Sequence, residues 1–271
     1  MGLFEEIQSD IKKYNLEQKI IAKNIGVSGP SLSFYLSEEN QMSFVQFFLL
    51  VKEVYSTRNP SAIKSKLKEF LITPTKKNSK TNSNIIECLE WALQHGEEEL
   101  FAFAQKLVRK ISGNDLADLY QLAMARLKKK IKPKDLLMEL DSIKSKLKGE
   151  SLALFSILRL FCFYESKNYQ GILLYIDTAR IAIGKLKKGY LKESYLLTLS
   201  QLNITALMKN KFIEEAIRIA ESNLKTVDQR KFPHGYNFLY SFMAELYVFT
   251  DLNKSLEYIE KAISESPLDN Y

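Results

Sequence analysis

The chain has 271 residues, 46% of them apolar, a length that suits two domains with a core in each. Its formal net charge of +7 excludes a strongly acidic protein, and twelve Lys/Arg against eight Asp/Glu in the first 80 residues fit a polyanionic partner. Cys88 and Cys162 stand far apart and form no CxxC, so neither a disulfide framework nor a cysteine metal knuckle is expected.

The N-terminal segment "MGLFEEIQSDIKK" carries acids early and has no long apolar run, so it is not a signal sequence. The longest apolar runs, such as "SFVQFFLLV" at 43–51, are about half a membrane span. A cytoplasmic protein with no membrane partner is the expectation. Leu3, Phe4, Ile7, Ile11 and Tyr14 recur at three and four and give a first helix.

Residues 16–36, "LEQKIIAKNIGVSGPSLSFYL", carry two short helices whose apolar skeleton is Leu16, Ile20, Ile21, Ile25, Val27, Leu32 and Leu36. Ala22 is small where the helices cross, Gly26 suits a turn that needs positive φ, and Ser28 is placed to cap the second helix. This is a helix-turn-helix, whose second helix lies in the major groove with its N-terminal residues at base edges. That helix begins "SGPSLSFY" and carries no Arg, Lys, Asn or Gln, so it lacks the bidentate groups that read G or A. Ser31 and Ser33 can each make single hydrogen bonds, and Phe34 can touch a thymine methyl. Lys12, Lys13, Lys19 and Lys23 are candidates for phosphates, with DNA shape as a further source of specificity.

"MSFVQFFLLVKEVY" and "SAIKSKLKEFLI" predict two further helices, N-capped by Ser43 and Ser61. The polar, cationic stretch "TPTKKNSKTNSN" at 73–84 reads as a linker. The predicted domains are therefore 1–72, which reads DNA, and 85–271, which is a helical repeat domain.

Beyond the linker the periodicity predicts ten helices, at 85–95, 97–111, 114–129, 133–147, 150–166, 168–186, 190–209, 212–226, 235–249 and 252–265. Their breaks fall at Gly96, Gly113, Pro133, Gly149, Gly189 and Pro233, and the short connections force antiparallel neighbours. Three junctions look alike, with Tyr169, Phe212 and Leu252 about forty residues apart. Each is followed by a small residue (Gly171, Ala216, Ser255) that lets paired helices approach, and Pro267 ends the last helix. This is the logic of a tetratricopeptide-like solenoid of helical hairpins, so the fold class is all-α. A solenoid end usually needs a polar cap, so either a partner subunit covers this end or the chain is a fragment; a homodimer is expected, joined through the last repeats.

Two polar stripes mark a candidate ligand groove. On helix 190–209 they are Ser194, Thr198, Gln201, Thr205 and Lys209; on helix 235–249 they are Asn237, Ser241 and Glu245. Such groups can pair with a peptide backbone, and Glu245 with a basic peptide residue; the alternative is a plain solvated face. Arg159, alone in "SLALFSILRLFCFY", needs an anionic partner, either Asp177 of the neighbouring helix or a peptide carboxylate. His95 and His234, on different helices, are the chain's two histidines, and no HExxH, GxGxxG or P-loop occurs. No catalytic residues, metal ligands or cofactor are predicted, and the chain does not read as an enzyme.

The stretch 16–36 is similar to the phage-repressor pattern LxQxxLAxxxGVSxxxLSxxL, matched by Leu16, Gln18, Ala22, Gly26, Val27, Ser28, Leu32, Ser33 and Leu36, with Ile21 in place of Leu. That resemblance implies that Gln18 sits beside a phosphate and that Ser28, Gly29, Ser31 and Phe34 face the groove. The whole plan resembles the arbitrium receptor (AimR) family of temperate Bacillus phages, through "GVSGPSLSFYLSEENQMSFVQFFLLVKEVY" and "IEEAIRIAESNLK". The resemblance implies a dimer that binds double-stranded operator DNA in the bacterial host and controls lysis against lysogeny. A short secreted communication peptide, bound in the repeat domain, switches it off. Family members run several helices longer, so a truncated or short form is expected here. Some groove positions that are Asn and Arg in better-known members look like Thr205, His234 and Glu245 here, which implies a different peptide specificity or its loss. The rival reading is a repeat scaffold that sequesters a protein partner without sequence-specific DNA binding.

Overall fold

The computed structural model describes residues 2–38, 41–73, 81–143, 147–248 and 250–264; among them all regular structure is helical. The chain divides into two compact units, Met1–Ala117 and Asp118–Tyr271.

In the first unit, α1 (Leu3–Lys13) buries Leu3, Phe4, Ile7 and Ile11, the face its periodicity predicts. The helices α2 (Gln18–Ile25) and α3 (Gly29–Leu36) follow, then α4 (Phe44–Tyr55) and α5 (Ser61–Ile72). The core is aromatic: Phe47 stacks on Phe70 at 4.1 Å, and Phe4 meets both rings edge-on. The Tyr55 hydroxyl donates to Asp10 at 2.6 Å, tying α4 to α1. Lys66 is buried on α5 because its ammonium reaches Glu6 at 2.5 Å and Glu69 at 3.4 Å. Ser43 caps α4 as expected, in a capping box with Gln46. Ser61 does not cap α5: it is the helix's first residue, and its hydroxyl turns to Asn59 at 2.8 Å.

The first unit runs well past residue 72. Helix α6 (Thr81–Gln94) begins inside the stretch that reads as a linker, whose residues 74–80 lie outside the described residues. Trp91 of α6 packs on Phe48 at 4.4 Å and Phe44 at 6.0 Å. Buried Asn84 donates to the Met42 carbonyl at 3.2 Å and accepts from the Phe44 amide at 3.1 Å, one of the donors a helix start leaves unpaired. Helix α7 (Glu98–Ser112) packs on α6 and α5, with ion pairs Lys64–Glu97 at 2.8 Å and Lys68–Glu99. From sequence alone both helices read as part of the repeats.

The boundary between the units falls within α8 (Asn114–Leu127). Then come α9 (Pro133–Ile143), α10 (Gly149–Glu165), α11 (Tyr169–Gly184), α12 (Tyr190–Lys209), α13 (Ile213–Thr226), α14 (Pro233–Tyr247) and α15 (Leu252–Ser264). Each of the ten predicted helices is present, with ends moved by a few residues. From α9 onward consecutive helices pack on one another, and α12 also touches α10 and α14, the first helices of the flanking hairpins. Ala216 and Ser255 are buried at hairpin contacts, and the Ser255 hydroxyl donates to the Ala244 carbonyl at 2.9 Å. Gly171 is small for another reason: a Cβ there would come within 2.7 Å of the Asn168 side chain that caps α11. Pro267 lies outside the described residues. Among them no helix is long and apolar enough to cross a membrane.

Candidate functional site

The turn between α2 and α3 is built as its residues dictate. Gly26 adopts φ 74° and ψ 35°, and the Val27 amide reaches back to the Ala22 carbonyl at 2.9 Å, closing α2. One residue on, the Ser28 hydroxyl accepts from the Ser31 amide at 3.2 Å and opens α3, with Pro30 in the first turn. Ile21, Ala22, Ile25, Leu32 and Leu36 are buried, and α2 rests on α4 while α3 rests on α1. Asn24 donates to Glu53 at 2.9 Å and braces α2 against α4.

The outer surface carries the residues expected to meet DNA. Gln18, Lys19, Lys23, Ser28, Gly29, Ser33 and Phe34 are exposed, and Ser31 is half-buried. The Ser31 hydroxyl pairs with Ser28 Oγ at 2.8 Å, so the two act as one polar group at the start of α3. A Cβ at Gly29 would meet nothing within 4 Å, which leaves that helix start open to a close neighbour. Ile20, read from sequence as part of the apolar skeleton, is 51% exposed instead. It stands one position before the buried Ile21, and the face that α2 buries is too narrow to include it.

In the second unit the two polar stripes do come together. Gln201 of α12 donates to the Gly235 carbonyl of α14 at 3.4 Å, and Lys209 pairs with Glu245 at 3.4 Å. Most of these groups are consumed locally. Thr205 donates to the Gln201 carbonyl and Ser241 to the Asn237 carbonyl, Thr198 is half-buried, and Ser194 is fully buried. The Asn237 side-chain oxygen is buried without a hydrogen-bond partner. Arg159 is paired, but with Asp141 of α9 at 2.9 Å rather than with Asp177, which serves Arg180. The Arg159 guanidinium lies 5.5 Å from the Tyr175 ring, and its Nε has no hydrogen-bond partner.

A cavity of about 500 Å³ opens elsewhere on α12, against α13 and the segment leading into α14. Leu196, Ile219 and Phe232 form apolar wall, Ser200 and Asn203 supply polar groups, and Lys231 stands at the side in an ion pair with Glu193 at 3.0 Å. Asn203 is 9% exposed, and the Asn223 amide donates to the Ser200 hydroxyl. Asp228 also lines the cavity. Burial works against its charge, but the Arg230 guanidinium, bonded at 3.0 and 3.1 Å, holds its carboxyl below the usual carboxylate range. None of the stripe residues, nor Arg159, lines this space. The signal for Asn203 was an amide in the middle of the apolar run "LTLSQLNITALM". Among the described residues no cluster of His, Cys, Asp or Glu is arranged to hold a metal ion.

No curated protein matches the sequence. A solved structure, that of SeMet-phAimR, shares the fold with a TM-score of 0.69 at 16% identity, over 99% of this chain and 68% of that one. A family model for AimR transcriptional regulator-like proteins matches residues 63–270, from α5 onward, leaving α2 and α3 outside the match. That span is well over half of the chain, which therefore belongs to the AimR transcriptional regulator-like family.

Proposed function

We propose that this regulator binds operator DNA through α2 and α3 and is switched by a short signalling peptide held in its second unit. The observation that carries the reading is the capped, outward-facing α3, with Gly26, Ser28 and Pro30 fixing its start and Gln18, Lys19 and Lys23 exposed beside it. Gln18 and the lysines hold phosphates, while Ser31, Ser33 and Phe34 face base edges. Similarity to the arbitrium receptors adds the biological setting: a phage-encoded protein in the bacterial cytoplasm that decides between lysis and lysogeny.

Two surfaces compete for the peptide. The stripe on α12 and α14, with Thr198, Gln201, Thr205, Lys209, Asn237, Ser241 and Glu245, is a row whose groups bond mainly to one another. The α12–α13 cavity has volume for a few residues, an apolar wall, and the amide of Asn203 in its lining, a group that can pair with a peptide. The cavity is the better seat. A functional form with two DNA heads follows from the small footprint of one helix-turn-helix, and α15 offers a surface for it. Leu252, Leu256, Ile259 and Ile263 are exposed at helical spacing on its outer side.

Titration calorimetry with the peptide encoded by a short neighbouring reading frame tests the reading. Binding in the micromolar range, about 8 kcal/mol, is expected. Asn203→Leu should weaken it at least tenfold and Thr205→Leu leave it unchanged; the reverse pattern moves the peptide to the stripe. A chain that binds neither the peptide nor duplex from upstream of its own gene is a protein-sequestering scaffold instead.

A further inference from the structure

Most of the chain's net positive charge lies in the second unit, not in the unit that carries α2 and α3. Residues 1–117 hold fifteen Lys/Arg against fourteen Asp/Glu, because the acids of α6 and α7 offset the basic first 80 residues. Residues 118–271 hold twenty-four against eighteen. Duplex binding rests heavily on neutralising phosphates, and α3 carries no charged side chain, so the affinity needs cations from elsewhere.

The densest cationic segment is the turn between α8 and α9, "KKKIKPK", where Lys128, Lys129, Lys130, Lys132 and Lys134 are all exposed. The side chains of Lys129, Lys130, Lys132 and Lys134 form no ion pair or hydrogen bond among the described residues, and Asp135 is the sole acid beside them in sequence. The turn is ordered by its backbone: the Lys130 amide closes α8 on the Ala125 carbonyl at 2.8 Å, and Pro133 starts α9. Lys129 sits at φ 54°, a conformation that Gly or Asn adopts more cheaply. Four unpartnered ammonium groups on so short a segment repel one another, a cost that a polyanion relieves.

We infer that this lysine turn is a second phosphate-binding surface, which grips duplex DNA without reading its sequence. The inference rests on the DNA-binding function proposed above. The intact chain is compared with the triple variant Lys129→Asn, Lys130→Gln, Lys132→Gln, in which Asn keeps the turn conformation, and with Gln18→Ala/Lys19→Ala. Fluorescence anisotropy is read on a labelled duplex from upstream of the gene and on a scrambled duplex of equal length, across a salt series. Circular dichroism melts check that each variant is folded.

The expected result is a loss of about tenfold or more by the turn variant on both duplexes. The slope of log K against log salt should become shallower by about 2–3, near 0.9 for each contact removed. Unchanged affinity and slope overturn the inference, and the Gln18/Lys19 variant then shows whether the DNA-reading helices still bind. If the unaltered chain binds neither duplex, the proposed function fails and this inference with it. Phosphatidylserine vesicles are a third probe: lysine-dependent binding to them, with duplex binding unaltered, overturns the inference in favour of a membrane surface.

Discussion

Replacing Asn84 by Ala should cost the first unit about 2–4 kcal/mol. The side chain is 8% exposed and fills two needs at once, accepting from the Phe44 amide at 3.1 Å and donating to the Met42 carbonyl at 3.2 Å. Each bond contributes about 1 kcal/mol net, and stranding a buried backbone group costs about 1–3 kcal/mol more. Urea unfolding is the assay, and the chain's single tryptophan suits it: Trp91 lies on the same helix and packs on Phe44 and Phe48, so its emission reports this interface. With a slope of about 2 kcal/mol per molar urea, the midpoint should fall by about 1–2 M. A shift below about 0.3 M would refute the bridge, and with it the packing of α6 onto α4.

Gln18→Ala with Lys19→Ala should weaken binding to every duplex and flatten its salt dependence, whereas a bulky residue at Ser31 should change site preference; equal effects on all duplexes from both would contradict the division of roles. Burial pushes the Cys88 thiol well up and, with Glu165 nearby, Cys162 up to about 11, so both should react with a thiol reagent at pH 8 only after unfolding. A thiol raised in the folded state supports folding below its unfolded value near 9 and loses that support as pH climbs toward 11, so urea midpoints should decline across that window. Leu256→Glu with Ile259→Glu should turn a dimer into a monomer by light scattering; an unaltered mass would rule out the exposed side of α15 as the interface.

Much of the helical plan was legible because its signals are local. Gly26, Ser28 and Pro30 act through backbone conformation and a hydrogen bond three residues away, and the Ser43–Gln46 box is equally short-ranged. Glycine and proline breaks gave the helices of the second unit within a few residues. What the sequence hid depends on distant partners. Asn84 looks like linker polarity until Met42 and Phe44 are beside it, so the extent of the first unit was missed. Arg159 needed an acid, and the sequence pointed to Asp177 on the following helix; packing instead brings Asp141 of α9 to it. The stripe on α12 was visible as a period; that its groups would bond to one another, and that a cavity would open beside Asn203, follow from where α13 and α14 lie.

The most direct test of peptide-controlled DNA binding is anisotropy of a labelled duplex from upstream of the gene, titrated with the 271-residue chain with and without saturating synthetic peptide. Binding at micromolar concentrations or below is expected, falling about tenfold or more when peptide is added, a coupling of about 1.4 kcal/mol or more. Affinity that stays the same with peptide, or no binding to any upstream duplex, would contradict peptide control of DNA binding.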